Sequence, residues 1–224
     1  MSRKKGELAS KASEYDRVME SLRDQISLHI LPPGSKLKEN SLANEYNVSR
    51  SKIREAFQTL EQRGLIERIP NHGAVVVRLE ADEVVQLYDI REMLEALAAR
   101  LAAQNSTSET WDKFIGLFDE SLEHTVEQGD FEAYMQILKS LNLTIRHQAN
   151  NRILSDFLDH IFDRTQVYAR RVVLLPGRAK LGIQLHRKLV DALSRGEGEE
   201  AESIKREIVS SAKAYLIRFK EFIL

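Results

Sequence analysis

The chain has 224 residues, 42% hydrophobic and 30% charged, with a formal net charge of −1 and no cysteine. That is enough apolar material for a sizeable core in one large or two small domains, and it excludes disulfides and thiolate metal sites. No apolar run approaches the ~18 residues of a membrane span, and the start MSRKKGELASKASE has no signal-type apolar stretch, so a cytoplasmic protein without a membrane partner is expected.

Charge is uneven along the chain. Residues 1–78 carry 14 Lys and Arg against 10 Asp and Glu, a balance of +4; the remainder carries 19 against 24, a balance of −5. A basic front and an acidic back fit a DNA-binding domain joined to a domain with another task.

Residues 1–13 are polar and Lys-rich and read as a flexible arm. From Glu14 to Ile30, Val18, Leu22, Ile26 and Ile30 recur every four residues and predict an amphipathic helix. Leu31-Pro32-Pro33-Gly34 stops it, because proline cannot continue a helix. Lys36 and Lys38 follow, placed for a phosphate backbone. In KENSLANEYNVSRSKIREAFQTLEQR, Leu42, Ala43 and Tyr46 share one face of a short helix. Asn47 suits a left-handed exit, Val48 turns inward, and Ser49 suits the N-cap of a second helix. There Ile53, Ala56, Phe57 and Leu60 follow i, i+3, i+4, i+7 as the buried face, while Arg50, Ser51, Lys52, Arg54 and Gln58 lie opposite. Two short helices with Ser and Arg opening the second form a helix-turn-helix pattern, whose N-terminal residues meet base edges in a major groove. Taken alone, the segment also admits a solvated helical pair. Gly64 then ends the helix, and Leu65–Ile69, the turn Pro70-Asn71-His72-Gly73 and Ala74–Val77 predict a β-hairpin. The sum is a winged helix with His72 and Gly73 at the wing tip.

The stretch PPGSKLKENSLANEYNVSRSKIREAFQTLEQRGLIERIPNHGAVVV resembles the DNA-binding domain of GntR-type bacterial transcription regulators. The resemblance implies DNA contacts from Ser49, Arg50, Ser51, Arg54, His72 and Gly73, with Lys38 and Lys52 beside them. Asn40 stands where the family often has Arg, which puts that contact in doubt.

Residues 79–83 read as a linker without a Gly/Ser-rich tether. From there the chain is helical almost throughout, with helices predicted over 81–104, 107–128, 131–149, 151–172, 177–195 and 198–222. Short breaks between long amphipathic helices imply an antiparallel bundle. LYDIREMLEALAARLAA, GDFEAYMQILKSLNLTIRHQANNRIL and QLHRKLVDALSRGEGEEA resemble the FCD effector domain of the FadR subfamily, which implies a bundle enclosing one pocket. Many members hold a metal there with an Asp and three His. Those positions fall on Leu138, Asn142, His186 and the neighbourhood of Glu207-Ile208, so one ligand of four matches and no metal or other cofactor is expected.

The effector candidates are Arg91, Glu95, Asn142, His186 and Arg171. Arg91 and Glu95 are four apart on one helix; a surface ion pair worth tenths of a kcal/mol is one reading, and the resemblance instead turns Arg91 toward the pocket, where it can pair with an anion. Asn142 and His186 read either as ordinary polar groups of the bundle or as direct ligand contacts. Arg171, with Arg164 and Tyr168, enters by spacing alone. Asp156 and His160 lack a third ligand and are set aside. No Ser-His-Asp order, Gly-rich phosphate loop or paired-carboxylate signature stands out, so an enzyme is not expected.

The expectation is a mostly α protein. A winged helix-turn-helix at 14–78 precedes an all-α effector-binding and dimerisation bundle at 84–224. The function expected is a repressor that binds an inverted-repeat double-stranded DNA operator as a homodimer and answers to a small anionic metabolite. A metal-dependent sensor using His186, or a bundle that only dimerises, are the alternatives.

Overall fold

Apolar residues one turn apart close the first part of the chain. The computed structural model describes residues 14–70 and 73–223, and the chain divides after Arg78 into two units. The expected arm at 1–13 and His72 lie outside the described residues.

In the first unit, α1 (Glu14–Ser27) buries Val18, Met19, Leu22 and Ile26. α2 (Glu39–Tyr46) buries Leu42 and Ala43. α3 (Arg50–Gln62) buries Ile53, Ala56, Phe57 and Leu60 and packs against both. The predicted extension of α1 to Ile30 is absent. His29 takes a left-handed φ of 57° and the Leu31 N–H donates to the Gln25 carbonyl at 3.0 Å, which turns the chain out and leaves Ile30 65% exposed. Gly64, with φ 68°, ends α3, and the Leu65 N–H reaches back to the Leu60 carbonyl at 2.9 Å. The hairpin is antiparallel, β2 (Ile66–Ile69) with β3 (Gly73–Val76), Ile69 opposite Gly73. A third strand, β1 (Lys36–Leu37), pairs with the other edge of β3 and gives the order β1-β3-β2. Two residues are too short to show any alternation, so periodicity had no purchase on β1.

The second unit opens with α4 (Ala81–Asn105). Glu80 and Glu83 form a capping box at its start, so the helix begins at Ala81 as predicted, and residues 81–83 belong to its first turn rather than to a linker. α5 (Glu120–Glu127), α6 (Glu132–Gln148), α7 (Arg152–Val173), α8 (Arg178–Ser194), α9 (Gly198–Arg218) and the short α10 (Lys220–Ile223) follow. α4 runs along α9, with α6 and α7 also against it, and α8 packs on α9. α4 buries Val84 and Tyr88 near its start and Ala96, Ala98, Ala99, Ala102 and Ala103 in its second half, while α9 buries Gly198, Ala201, Ile204, Lys205, Ile208, Val209 and Leu216. Four ion pairs tie the two helices: Asp89–Lys213, Glu92–Arg206, Glu95–Lys205 and Arg100–Glu202.

The predicted helix 107–128 is not continuous. Trp111, Phe114 and Phe118 stand three and four apart and are all buried, but they anchor two 3-10 turns and a loop. Gly116, with φ 80°, breaks the run, and Asp119 restarts it by accepting the Leu122 N–H at 2.9 Å as the N-cap of α5. Helical spacing here records burial, not helix. Among the described residues no helix is long and apolar enough to cross a membrane.

Candidate nucleic-acid interface and effector cavity

The turn between α2 and α3 forms as its residue types dictate. Asn47 holds φ 52° and its N–H, with that of Val48, closes α2 on Ala43 and Asn44 carbonyls. Ser49 Oγ accepts the Lys52 N–H at 3.4 Å and lies 2.8 Å from Ser51 Oγ. This fixes the start of α3 and presents Ser49, Ser51, Arg50 and Arg54 outward. The Arg50 and Arg54 side chains are 58% and 57% exposed. Both converge on one carboxylate: Glu39 Oε2 lies 2.8 Å from Arg54 Nε and 3.8 Å from Arg50 Nη2. Lys52 pairs with Glu55 at 3.0 Å, and Lys38, Asn40 and Gly73 are exposed. α1 braces α2 from behind. Gln25 Nε2 donates to the Tyr46 hydroxyl at 2.9 Å, Ser21 Oγ lies 3.0 Å from it, and Arg17 Nη2 donates to the Tyr46 carbonyl at 2.9 Å. Tyr46, read as an apolar contact, therefore also works through its hydroxyl.

Inside the second unit, α4, α6, α7 and α9 enclose a cavity lined by Arg91, Glu95, Asn142, Arg146, Phe162 and Lys205, with Ala98, Ile145 and Leu158 as apolar wall. Its free space is small, about 20 Å³ for the centre of a water molecule, room for roughly one or two waters. The polar end is organised around Glu95, which is shared by two cations. One carboxylate oxygen meets Arg91 Nε, and the other lies 2.8 Å from Lys205 Nζ. Lys205 Nζ also donates to Asn142 Oδ1 at 2.8 Å, and its side chain is 3% exposed. Burial alone would raise the Glu95 pKa, but Arg91 and Lys205 outweigh it and hold the carboxyl at about 2. Arg91 is raised in turn, since Glu95 overcomes the effect of burial, and its guanidinium covers the Tyr88 ring at 5.1 Å. Arg146 is paired with Asp159 and covers Phe162 at 5.4 Å.

The cavity brings together Arg91, Glu95 and Asn142 and leaves two candidates outside its lining. His186 is buried and stacked on Phe118 with ring centroids 5.4 Å apart. Its Nδ1 donates to the Gly182 carbonyl at 2.6 Å and lies 3.4 Å from the Tyr134 hydroxyl. Burial, and then the Lys205 charge, push its pKa down to about 3. Arg171 is half-buried on α7 and is not among the lining residues, because spacing along α7 does not fix which side of the helix faces the bundle. Arg164 lies 4.0 Å from Glu83, and Asp156 and His160 are exposed. Leu138 packs on the apolar core, and Asn142 serves Lys205. Among the described residues no three His, Asp or Glu side chains are grouped to hold a metal. Lys205, Arg146 and Phe162 went unnoticed in the sequence, where a lysine or arginine on an amphipathic helix looks like a solvated face.

Comparison with known proteins adds an independent line. The model for bacterial regulatory proteins of the gntR family matches residues 14–76, and the FCD domain model matches residues 86–211. The chain is 27% identical over 192 residues to an uncharacterized HTH-type transcriptional regulator, YdhC, of Bacillus subtilis (strain 168), covering 84% of each. It is 29% identical over 203 residues to a probable D-xylose utilization operon transcriptional repressor of Paenarthrobacter nicotinovorans, covering 86% of each. Among solved structures, E. coli McbR/YncC shares the fold with a TM-score of 0.77 at 24% identity, covering 92% of this chain and 98% of that one.

Proposed function

We propose, for a chain that belongs to the GntR family of bacterial regulatory proteins and carries an FCD domain, a one-component repressor in which a small anionic metabolite sets operator affinity. Such a chain is a DNA-binding transcription regulator. In this reading it acts in the cytoplasm as a homodimer, because an inverted-repeat operator pairs with a two-fold symmetric reader. α3 enters the major groove, Arg50 and Arg54 meet base edges, and Ser49, Ser51, Lys52, Lys38, Asn40, Gly73 and His72 contact the backbone or the adjacent groove. Glu39 holds the two arginines in the free protein and must release them to the DNA, which adds an electrostatic cost to indiscriminate binding.

The observation that carries the effector reading is the buried polar end of the cavity, where Lys205, Arg91 and Glu95 meet beside apolar walls. An organic acid entering there takes over contacts that Lys205 and Arg91 now make with Glu95 and Asn142, and with its carbon chain parts Ile145, Leu158 and Phe162. The free space in the cavity is only about 20 Å³, so binding of a larger guest favours a more open arrangement of α4 against α6, α7 and α9. The ligand can shift DNA affinity only by its differential affinity for the two arrangements. Arg91 and Glu95 lie on the helix that begins just after Arg78, so a change at the cavity is carried along the element next in sequence to the winged helix.

The test is a thermal-shift screen of the purified protein against organic acids, sugar acids, acyl-CoA thioesters and divalent metals, with and without chelator. It is followed by fluorescence anisotropy on DNA selected from a random pool. An acid that raises Tm by mass action in the presence of chelator and weakens binding to the selected DNA is the expected result. Stabilisation by a metal, lost on chelation, identifies a metal sensor instead, and the absence of any stabilising ligand identifies a bundle that only dimerises.

A further inference from the structure

Three helices meet at one carboxylate. Glu95 and Arg91 stand one turn apart on α4, Lys205 comes from α9 and Asn142 from α6, and all four line the cavity. The two Glu95 oxygens are divided between the cations, Oε1 on Arg91 Nε and Oε2 on Lys205 Nζ at 2.8 Å. Lys205 Nζ also donates to Asn142 Oδ1 at 2.8 Å, a neutral partner on a different helix. Two charged donors converging on one carboxylate inside a cavity are what recognition of an acid requires. Here the chain itself supplies the acid.

The charges of the lining do not balance. Among its described residues Arg91, Arg146 and Lys205 are cations and Glu95 is the one anion. Arg146 is paired with Asp159, which is not part of the lining. Arg91 and Lys205 therefore share a single negative charge, with side chains 12% and 3% exposed. Buried charges are costly unless paired. One added carboxylate brings this group to neutrality, with Glu95 on Arg91 and the newcomer on Lys205, and a second added charge would overshoot. The remaining walls, Ala98, Ile145, Leu158 and Phe162, suit an apolar body.

We propose that Glu95 is a tethered occupant of the effector's carboxylate subsite, and that the effector is a monocarboxylate that competes with it for Lys205. In the exchange the guest's carboxylate replaces Glu95 Oε2 on Lys205 Nζ. Asn142 keeps its hold on the lysine, and Glu95 remains on Arg91, its neighbour one turn away. The link from α4 to α9 opens at this point while the link from α6 to α9 stays. A group tied in place acts at a high effective concentration, so Glu95 sets how much free acid is needed to open the cavity. The inference rests on the effector reading given above and adds to it the ligand's charge and the competitor it must displace.

The experiment is chemical rescue. Glu95→Ala deletes a fragment of the size and charge of acetate, so free acetate can stand in for it. Full-length unmutated protein, Glu95→Ala and Glu95→Gln are titrated calorimetrically at pH 7.5 with acetate, propionate, succinate and acetamide, and Tm is followed in the same solutions. Acetate and propionate should bind Glu95→Ala about tenfold or more tightly than the unmutated protein and raise its Tm, while neutral acetamide does neither. Glu95→Gln, which keeps the volume, should gain less, and Glu95→Ala/Lys205→Met should lose the gain. Should Glu95→Ala be unfolded in plain buffer, refolding by acetate and not by sodium chloride at the same concentration is the equivalent result. Acetate that binds the folded variant no better than the unmutated protein, or fails to refold an unfolded one, overturns the tethered occupancy; the effector reading is then decided separately, by the acid screen. A gain that persists in the double variant overturns the role of Lys205. A dicarboxylate as the stabilising acid of the unmutated protein overturns the charge count. Rescue of the variant with no acid stabilising the unmutated protein makes Glu95 a permanent internal ligand and overturns the competition together with the effector reading.

Discussion

Mild acid should destabilise the helical unit through His186, and the size of the effect follows from its surroundings. The ring is 4% exposed, stacked on Phe118, and its Nδ1–H is committed to the Gly182 carbonyl. A second proton would place a cation in that apolar stack close to Lys205, so the folded pKa falls to about 3 against 6.5 for the free side chain. Between those values the unfolded chain binds a proton that the folded chain refuses. Stability from this group is complete above about pH 6.5 and is lost as pH falls toward 3. One pH unit inside the window is worth about 1.4 kcal/mol, so moving from pH 7.5 to 5.0 should cost about 2 kcal/mol through His186 alone. The protein has one tryptophan, Trp111, fully buried in this unit, so its fluorescence reports the unit's urea unfolding without signal from the winged helix. His186→Gln removes the titration, and every other group is common to both proteins. The unmutated protein should lose about 2 kcal/mol more than the variant over this range. Parallel losses, within about 0.5 kcal/mol, would refute the argument that the ring is held neutral by burial.

Three further outcomes are expected. Arg54→Ala should weaken binding to selected operator DNA by about 1–3 kcal/mol and relax preference at one base pair; unchanged anisotropy curves across single-base variants of the site would sink the assignment. Gly182→Ala should destabilise the helical unit by about 1–3 kcal/mol, because the new methyl would overlap the Tyr134 hydroxyl and crowd Arg178; Tyr134→Phe should recover part of the loss in the same urea titration. Asn47→Ala should cost the winged helix about 1 kcal/mol, and Asn47→Gly little, since the left-handed φ of 52° penalises a Cβ without a local acceptor; equal losses by circular dichroism would show that the turn relaxes.

Sequence reasoning reached furthest where local rules and tertiary packing agree. In α3 one periodic face and one capping serine specify both the helix and which residues point outward, and Ile53, Ala56, Phe57 and Leu60 are buried as their spacing requires. It misled where spacing was right and conformation was not: Trp111, Phe114 and Phe118 all reach the core, but Gly116 forbids the helix that their intervals imply. The cavity was half legible. Arg91 and Glu95 announce themselves as an i, i+4 pair. Lys205 takes its meaning from Glu95 and Asn142, far away in sequence, and looks solvated until those helices are packed together.

The alanine face of α4 has a mechanical consequence. The alanines in the second half of α4 offer few knobs to lock into holes, so shape does less there to index that helix against its neighbours. The indexing falls instead to the four charge pairs strung from Asp89–Lys213 to Arg100–Glu202. Glu95–Lys205, the most deeply buried of them, is also the one at the cavity, and it lies between pairs on either side. A guest that draws Lys205 away loosens the strip at its middle while both ends stay pinned. The motion this favours is a bowing or pivot of α4 about retained anchors rather than a slide along α9, and it is reversed when the lysine returns to its carboxylate.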